Sequence, residues 1–378
     1  MLLPGDPVPA FRVRSLVNPD YSFRSAAGRY LVITFLGSSR TPGAATFYRK
    51  MREEIGPFDD DFACAFLVSN DPGDADGQQM QERYPGLRIF LDLDHKMADL
   101  FGARRSDESG QRAIGVCTWI LDPGQRVVRI LPTTDLASHY AAIREAVDQL
   151  PRAHLDADAW APVLKVPGIF EPTLCRDLIA YADRQGLMDS GFMSSDPASG
   201  NTVLKVDHRH KRRSDCSIED APLRNAVQAR ILRRLVPQVE RAFQFKATRM
   251  ERYIISCYDA GTGGYFRPHT DNSTLGTAHR RFAVSIGLNA EEYEGGDLRF
   301  PEFGARTYRP PTGGAIVFSC SLLHEALPVT RGRRFVVLPF LYDEAAARIR
   351  IDNARHLDDP RIRENVLRSV GAPEPQEN

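Results

Sequence analysis

The first 150 residues alternate between short apolar runs and amphipathic stretches. The continuous apolar run Tyr30–Gly37 predicts a buried strand, and Thr41–Ile55 after it has the apolar stripe of a helix. The same order of strand and helix recurs, because the apolar run Phe62–Ser69 is followed by a polar helical stretch at Asp74–Arg83. A third strand and helix follow at Leu87–Leu93 and Lys96–Phe101. Two further strands, Cys117–Asp122 and Arg126–Ile130, lie on either side of a turn, and a last helix is predicted at Leu136–Leu150. Residues 1–150 are therefore predicted to form an α/β domain with a mixed sheet.

The pattern changes after residues 151–162, a short linker rich in Ala, Asp and Pro. Helices are predicted at Pro172–Gln185 and Ala221–Phe243, and the segment Met188–Glu219 between them is polar. Beyond these helices the apolar period becomes two, and short strands are separated by Gly-Gly turns (Arg252–Tyr258, Phe282–Leu288, Leu298–Phe300, Ala315–Ser319 and Arg334–Tyr342). Residues 163–345 are therefore predicted to form a mainly β sandwich or jelly roll with flanking helices.

The overall composition excludes several classes of protein. The 378 residues include 49 basic and 49 acidic side chains, so no net charge favours nucleic acid or an anionic membrane as partner. The longest apolar runs fall far short of the roughly 20 residues that span a bilayer. The start MLLPGDPVPAF lacks the pattern of a signal peptide, so a cytoplasmic location is expected.

Three features are predicted to carry no chemistry. The six cysteines are scattered without a CxxC pair, which indicates reduced thiols rather than a disulfide framework or a four-cysteine zinc site. The basic run His208–Arg213 is interpreted as a solvated loop, because no aromatic residues are interleaved for stacking on nucleic acid. The segment 346–378 is predicted to be a charged, helix-compatible tail that ends in PEPQEN.

The candidate chemistry lies at histidine-x-aspartate pairs, of which the chain has three. Residues i and i+2 of an extended chain point to one face, so an imidazole and a carboxylate can share a metal ion there. The pair that begins at His154 lies in the polar linker, and the pair at His356 lies in the tail with no later histidine. Only His269 and Asp271 follow a predicted strand and a Gly-rich turn and precede strands that contain another histidine, His324.

Two imidazoles and one carboxylate leave coordination positions open, which is the arrangement of non-haem Fe(II) oxygenases. A chelating 2-oxo acid would carry a second carboxylate, and burying that charge requires a cation, best supplied by an arginine fork. Arg334 opens the last predicted strand, ten positions after His324. The sequence therefore predicts an iron site with an anion site beside it.

Four stretches of the second domain occur in a defined order: YDAGTGGYFRPHTDN, RRFAVSIGLN, YEGGDLRF and TGGAIVFSCSLLHEALPVTRGRRFVVLPFLYD. With them, residues 163–343 resemble the prolyl 4-hydroxylase-like branch of the 2-oxoglutarate and Fe(II)-dependent dioxygenases. The resemblance implies a double-stranded β-helix in which His269, Asp271 and His324 bind Fe(II).

The same resemblance implies that Arg334, rather than Arg333, binds the tail of 2-oxoglutarate and that Tyr258 assists. It further implies O2 as a co-substrate and L-ascorbate as a candidate reductant. The expected reaction is hydroxylation of a C–H bond, and the first candidate substrate is a prolyl residue in a peptide or protein.

The first domain has a resemblance of its own, carried by PGDPVPAFRV, YLVITFLG, SSRTPGAATF, FLVSNDP and CTWILDPGQRVVRI. In this order they resemble peroxiredoxins of the AhpC/TSA type, which implies a thioredoxin-like fold over residues 1–150. In that family a peroxidatic cysteine begins the helix after this strand, where this chain has Ala44, and an assisting arginine is expected at Val116. Cys64 and Cys117 lie in apolar strand patterns, where thiols are mostly inert core residues. We therefore expect a redox-inactive domain used for protein contact, dimerisation or substrate presentation.

The sequence thus predicts an iron- and 2-oxoglutarate-dependent hydroxylase with an N-terminal pseudo-peroxiredoxin domain. One alternative keeps the chemistry and changes the substrate to a free amino acid or small metabolite. Another is a non-catalytic binding module, against which the intact set of His269, Asp271, His324 and Arg334 argues. The third is a thiol peroxidase, which Ala44 disfavours.

Overall fold

The computed structural model describes residues 1–54, 56–106, 112–156 and 159–371. They fall into two compact units, which comprise Met1–Trp160 with Pro301–Arg306, and Ala161–Phe300 with Thr307–Asn378. The end of the helix predicted at Thr41–Ile55 and the final PEPQEN lie outside the described residues.

The first unit is built on a seven-stranded mixed sheet. Its strands, and the helices around it, are β1 Arg12–Ser15, β2 Tyr21–Ser22, β3 Tyr30–Gly37, α1 Ala44–Glu53, β4 Ala63–Ser69, β5 Leu87–Leu91, α2 Lys96–Phe101, β8 Cys117–Leu121, β9 Val127–Pro132 and α3 Leu136–Asp148. The hairpin β6 Arg104–Ser106 and β7 Arg112–Ile114 forms a separate ladder. The sheet order is β2-β1-β5-β4-β3-β8-β9, in which β3, β4 and β5 are parallel.

Both faces of this sheet are covered, which explains why β3 is a continuous apolar run. Val32 and Leu36 pack on one face with residues of α1 and α3, whereas Leu31 and Ile33 pack on the other face with residues of α2. The predicted α/β class is thereby confirmed. The helix predicted at Asp74–Arg83 is wrong, because only a 3-10 turn at Pro72–Asp74 forms there. That polar stretch has no apolar stripe to bury, and tertiary packing supplies most helix stability.

The second unit is mainly β. Its strands are β10 Leu164–Val166, β11 Met188–Asp189, β12 Phe192–Ser195, β13 Thr202–Lys205, β14 Lys211–Arg212, β15 Ser214–Ser217, β16 Arg249–Glu251, β17 Ile254–Asp259, β18 Tyr265–His269, β19 Phe282–Gly287, β20 Glu294–Gly295, β21 Leu298–Arg299, β22 Thr307–Tyr308, β23 Ala315–Ser319, β24 His324–Ala326, β25 Val329–Arg331, β26 Arg333–Val337 and β27 Phe340–Tyr342. Its helices are α4 Pro172–Gln185, α5 Ala221–Arg230, α6 Val236–Phe243, α7 Glu344–Asp352 and α8 Pro360–Gly371.

Two of its sheets form the barrel. The large sheet runs β10-β23-β19-β26-β17-β15-β11, with β16 and β27 attached, and the small sheet runs β14-β18-β24-β21-β22. Tyr258 of the large sheet packs in one apolar cluster with Phe266 and Ala326 of the small sheet. The two sheets therefore share an interior, and the mainly β class with flanking helices is confirmed.

The helix predicted over Ala221–Phe243 is interrupted by a π-helical turn at Ile231–Leu235. Pro237 lacks the N–H that would continue the α-helical ladder, and Val236 donates instead to the carbonyl of Ile231, five residues back. The stripe Val227, Ile231, Leu235 and Val239 is fully buried against the large sheet. The wider turn therefore keeps one apolar face directed to the core.

The polar segment Met188–Glu219 is more structured than its composition suggests, because β11 to β15 lie within it. The interpretation of His208–Arg213 as a solvated loop is wrong for two of its residues. Lys211 is 3% exposed and Arg213 is 6% exposed. Strand β14 pairs with β18 and buries Lys211 opposite Phe266, a long-range pairing that the local sequence does not reveal.

The charged segment after Ala345 packs against the second unit. Helix α7 is followed by a 3-10 turn at Asn353–His356 and by α8. The side-chain amide of Asn353 donates to the carbonyl of Leu275 at 2.9 Å, and the N–H of Asp358 donates to the carbonyl of Thr202 at 3.1 Å. Within the described residues, no helix is both long and apolar enough to cross a membrane.

Candidate metal centre

Strands β18 and β24 place two histidines opposite each other. His269 is the last residue of β18, His324 is the first of β24, and the two are register partners. Their ring centroids lie 4.3 Å apart. Asp271 follows β18 directly, and its backbone N–H donates to the carbonyl of Cys320 at 3.0 Å. Three polar side chains thus meet where two neighbouring inner strands of the small sheet end and begin.

These side chains form one cluster of potential ligand atoms. His269 Nε2 lies 3.6 Å from Asp271 Oδ1, and His324 Nε2 lies 3.4 Å from Asp271 Oδ2. One ligand atom from each residue lies within 4.8 Å of the others. In the described part of the chain, no other group of His, Cys, Asp or Glu side chains meets this criterion. The spacing suits one ion at about 2.0–2.2 Å from each atom.

The hydrogen bonds of both histidines determine which nitrogen is free. His269 Nδ1 lies 2.8 Å from the carbonyl of Arg267, and His324 Nδ1 lies 3.1 Å from the carbonyl of Leu322. Because a carbonyl only accepts, each Nδ1 carries the proton in the neutral ring. Each Nε2 therefore presents its lone pair to the cluster, as in metal sites where a carbonyl binds the other nitrogen of the ligating histidine.

The surroundings of His269 also favour its neutral form. Burial is the largest cause that holds the pKa of His269 well below its usual range, and the neighbouring His324 adds to it. The ring of Phe266 stacks on His269 at a centroid distance of 3.5 Å, and Phe318 lies 4.6 Å from the ring of His324. Uncharged imidazole is the form that ligates metals.

Arg334 lies buried in the large sheet, at 2% exposure. Its Nη2 donates to Ser285 Oγ at 3.3 Å. Its Nη1 is buried and has no hydrogen-bond partner among the described residues, and no carboxylate of these residues pairs with the guanidinium. An unpaired buried cation is costly, so this site fits an anionic group from a ligand.

Tyr258 and Gly296 shape the space around this guanidinium. Tyr258 is the cross-strand partner of Arg334, and its ring centroid lies 4.8 Å from the guanidinium carbon. Gly296 has a φ of +67°, and a Cβ there would lie 3.2 Å from Arg334 Cδ and 2.7 Å from Val329 Cγ2. Arg333, in contrast, is exposed and pairs with Asp183 at 3.0 Å.

The other two histidine-x-aspartate pairs are not part of this cluster. His154 packs its ring edge against Tyr30 at a centroid distance of 4.9 Å, in the first unit. His356 accepts a hydrogen bond from Arg355 at 3.2 Å. Among the described residues, neither histidine belongs to a cluster of potential metal ligands.

The first unit lacks a reactive thiol at the position that the peroxiredoxin resemblance indicates. Ala44 begins α1, is 1% exposed, and packs in the apolar core with Phe47 and Leu36. All six cysteines are buried, and none of them forms a disulfide. Burial raises the pKa of Cys64 to about 12, in spite of the nearby Arg88. A thiol with this pKa is protonated and unreactive at neutral pH.

Sequence reasoning missed Ser285, whose hydroxyl accepts the hydrogen bond from Arg334. It lies among the small residues that alternate with the apolar residues of β19, Phe282, Val284 and Ile286. A hydroxyl on a buried strand could have indicated a polar partner in the core, because buried polar groups are almost always hydrogen-bonded. The buried Lys211 was missed for a different reason, the pairing of β14 described above.

Taken as donors, these residues fit iron and 2-oxoglutarate. Two imidazoles and one carboxylate are the facial set of non-haem Fe(II) enzymes. The orphaned Nη1 of Arg334, buried beside Ser285, offers a distal carboxylate the partner that the protein itself does not supply.

Comparisons with known proteins assign both units. Residues 253–342 match the model of the 2OG-Fe(II) oxygenase superfamily, and residues 4–130 match that of the AhpC/TSA family. A PKHD-type hydroxylase of Synechococcus sp. (strain JA-2-3B'a(2-13)) is 25% identical over 176 residues, which cover 44% of this chain and 75% of the relative. A multifunctional procollagen lysine hydroxylase and glycosyltransferase of Rattus norvegicus is 37% identical over 79 residues, which cover 20% of this chain and 10% of the relative.

Among solved structures, the Xanthomonas campestris bacterioferritin comigratory protein, described for its alkyl peroxide reduction activity, is similar to this chain. It has 23% identity and a TM-score of 0.32, and the match covers 36% of this chain and 90% of that one.

The second unit therefore carries a 2OG-Fe(II) oxygenase domain of the mainly β kind. The chain is a 2-oxoglutarate-dependent dioxygenase, and its N-terminal residues 4–130 are similar to the AhpC/TSA family.

Proposed function

We propose that the protein is a hydroxylase that binds Fe(II) through His269, Asp271 and His324 and binds the distal carboxylate of 2-oxoglutarate through Arg334. The observation that carries this proposal is the pairing of two features. Two Nε2 lone pairs and one carboxylate converge within 4.8 Å, and a buried guanidinium without an anionic partner lies in the same barrel.

Fe(II), 2-oxoglutarate and O2 would supply the oxidation of a C–H bond, with release of succinate and CO2. The protein's own residues bind and orient. The carbonyls of Arg267 and Leu322 hold the two imidazoles in the ligating tautomer. Arg334 would neutralise the distal carboxylate of 2-oxoglutarate, and Ser285 holds the guanidinium by accepting a hydrogen bond from its Nη2. The rings of Phe266 and Phe318 pack against the two histidines and would reduce the access of water to the centre.

The first candidate substrate is a prolyl residue in a peptide or protein. The relatives named above are hydroxylases, and one is named for procollagen lysine, which makes a lysyl residue in a peptide the second candidate. The alternative substrate is a free amino acid or small metabolite. The metal chemistry would be the same, but the entrance to the site would differ from one that admits a peptide.

The test measures succinate from the full chain supplied with Fe(II), 2-oxoglutarate and O2, with and without L-ascorbate. Peptide pools that present Pro or Lys are compared with the free amino acids, and mass spectrometry locates added oxygen. We expect peptide-dependent succinate release and a mass gain of about 16 on the modified residue, the mass of the one oxygen atom that replaces hydrogen by hydroxyl. Wild-type succinate formation by His269→Ala would contradict the proposed centre.

For the first unit we propose a redox-inactive role in contact with another protein, in a homodimer or in presenting substrate. Ala44, the burial of the cysteines and the raised pKa of Cys64 support the absence of peroxidase chemistry. Sedimentation of the full chain, compared with cross-linking to its hydroxylation substrate, separates these roles. A monomer would contradict the homodimer, and a substrate that never cross-links to residues 1–150 would contradict substrate presentation.

A further inference from the structure

A buried acid, Glu251, gathers three basic side chains from different parts of the second unit. Glu251 lies on β16 and is 7% exposed. Arg280 Nε donates to its Oε1 at 2.6 Å, His279 Nε2 lies 3.0 Å from Oε2, and Arg350 Nη2 lies 2.9 Å from Oε2. The acid thereby ties the loop before β19 and helix α7 to the large sheet.

Arg280 connects this cluster to a proposed iron ligand. Its Nη1 donates to the backbone carbonyl of Asp271 at 3.3 Å, while its Nε is held by Glu251. Its guanidinium carbon also lies 4.1 Å from the ring centroid of Phe340. A planar fork held on two edges and one face has little freedom to move.

The backbone of Asp271 is consequently fixed from both sides. Its N–H donates to the carbonyl of Cys320 at 3.0 Å, and its own carbonyl accepts from Arg280. These two hydrogen bonds hold the backbone of Asp271 and thereby the direction of its Cα–Cβ bond, from which the carboxylate projects. Removal of the outer partners of metal ligands typically weakens metal binding 10- to 100-fold, roughly.

Arg350 extends the connection to the C-terminal helix. Its Nη1 donates to the hydroxyl of Tyr342 at 2.7 Å, and its Nη2 reaches Glu251. Helix α7 lies beyond residues 253–342, the part that matches the oxygenase superfamily. Glu251 has two guanidinium partners, so removal of one leaves the buried carboxylate compensated by the other.

We propose that Arg280 is a positioning residue for Asp271 and that Glu251 and Arg350 make helix α7 a structural part of the metal centre. This inference rests on the proposed function, because Asp271 is a proposed iron ligand. Its consequence is that changes on a helix outside the matched domain alter metal affinity.

The experiment uses the full chain with Mn(II) as the probe, and free Mn(II) is measured by electron paramagnetic resonance. Arg280→Lys keeps a cation beside Glu251 but cannot reach both that acid and the Asp271 carbonyl. We expect its Mn(II) Kd to rise about 10-fold, with unchanged circular dichroism, and Arg280→Met to show a larger rise. Arg350→Met is expected to raise the Kd about threefold, since it acts through Glu251.

The matched control is Arg348→Met, which removes an exposed arginine from the same helix and should leave the Kd within about twofold of the wild type. A purely structural role of the cluster predicts lower thermal stability with normal Mn(II) affinity in the folded fraction. That result for Arg280→Lys would overturn the inference. If both Arg280 variants fail to fold, Arg350→Met decides, and a normal Kd there overturns it.

Asp271→Ala separates this inference from the proposed function. Weak Mn(II) binding by Asp271→Ala together with normal binding by Arg280→Lys would reject only the positioning role. Normal binding by Asp271→Ala would reject the metal centre itself, and the inference with it. The decisive pattern is weak binding in Asp271→Ala, Arg280→Lys and Arg350→Met, with normal binding in Arg348→Met.

Discussion

Tyr258 and Arg334 face each other across β17 and β26, and the guanidinium carbon lies 4.8 Å from the centre of the tyrosine ring. The guanidinium lies over the ring, and its Nη2 donates to Ser285 Oγ at 3.3 Å. Its Nη1 is buried and has no hydrogen-bond partner among the described residues, and the proposed 2-oxoglutarate carboxylate would pair with it. This arrangement makes a distinct prediction for 2-oxoglutarate.

Arg334→Met should raise the KM for 2-oxoglutarate at least 30-fold, roughly, because truncation of one partner of a buried charge pair costs about 2–5 kcal/mol. Succinate formation at a series of 2-oxoglutarate concentrations measures it. Arg333→Met is the matched control, since Arg333 is exposed and pairs with Asp183. Equal KM values for the two variants would contradict the assignment of Arg334.

The three histidine-x-aspartate pairs provide a control for the metal centre. His324→Ala should lower succinate formation more than 100-fold, roughly, and abolish tight Mn(II) binding, because each of three ligands is needed to hold the ion. His356→Ala removes a histidine of the same sequence context that lies outside the cluster, and should behave as the wild type. Similar losses in both variants would show that the effect is not specific to the centre.

Lys211 predicts a pH dependence of stability. Burial is the main cause that lowers its pKa from 10.5 to about 6. Its Nζ donates to Ser190 Oγ at 2.8 Å and to the carbonyl of Gly191 at 2.5 Å, both uncharged acceptors. The charged groups that influence it are Arg213, Asp215, Arg252 and Asp189.

Between pH 6 and pH 10.5 the unfolded chain binds a proton at Lys211 that the folded chain lacks. Stability should therefore rise with pH across this window. In Lys211→Met the rise in unfolding free energy from pH 7 to pH 9 should be about 2–3 kcal/mol smaller than in the wild type. Urea unfolding at both pH values measures it, and Lys205→Met, at an exposed lysine, is the control. An unchanged rise in Lys211→Met would show that the buried amine is charged in the native state.

The first unit should be inert towards peroxide and thiol reagents. None of the six cysteines should react with Ellman's reagent in the native chain at pH 8, and all six should react in denaturant. Ala44→Cys should not restore peroxide reduction, because residue 44 is enclosed in the apolar core and Val116 stands where an arginine is expected. Peroxide consumption by Ala44→Cys would show that the domain retains a working peroxidase pocket.

Local patterns predicted most of the elements. Helices α2 and α4 and strands β3 and β23 have the predicted bounds, because their apolar residues follow one period without interruption. The sequence spacing also selected His269, Asp271 and His324 from three similar pairs, and the structure brings these three together.

The features that sequence reasoning missed depend on contacts between distant segments. The burial of Lys211 and Arg213 follows from the pairing of β14 and β15 with β18 and β17. The link between Arg350 and Glu251 joins residues far apart in the chain, and neither has a local pattern that marks it. The π-helical turn before Pro237 could have been anticipated, since a proline inside a predicted helix removes a backbone donor.

His269 and His324 come from separate strands, so the donor set exists only after the small sheet has assembled. An ion that recognises this set binds the native chain and not the unfolded one, which couples metal supply to folding. At a free metal concentration 100 times the Kd, the native state gains about 2.7 kcal/mol. A cell short of iron would therefore hold less of this enzyme as well as a less active one, because the unloaded chain unfolds and is degraded more readily.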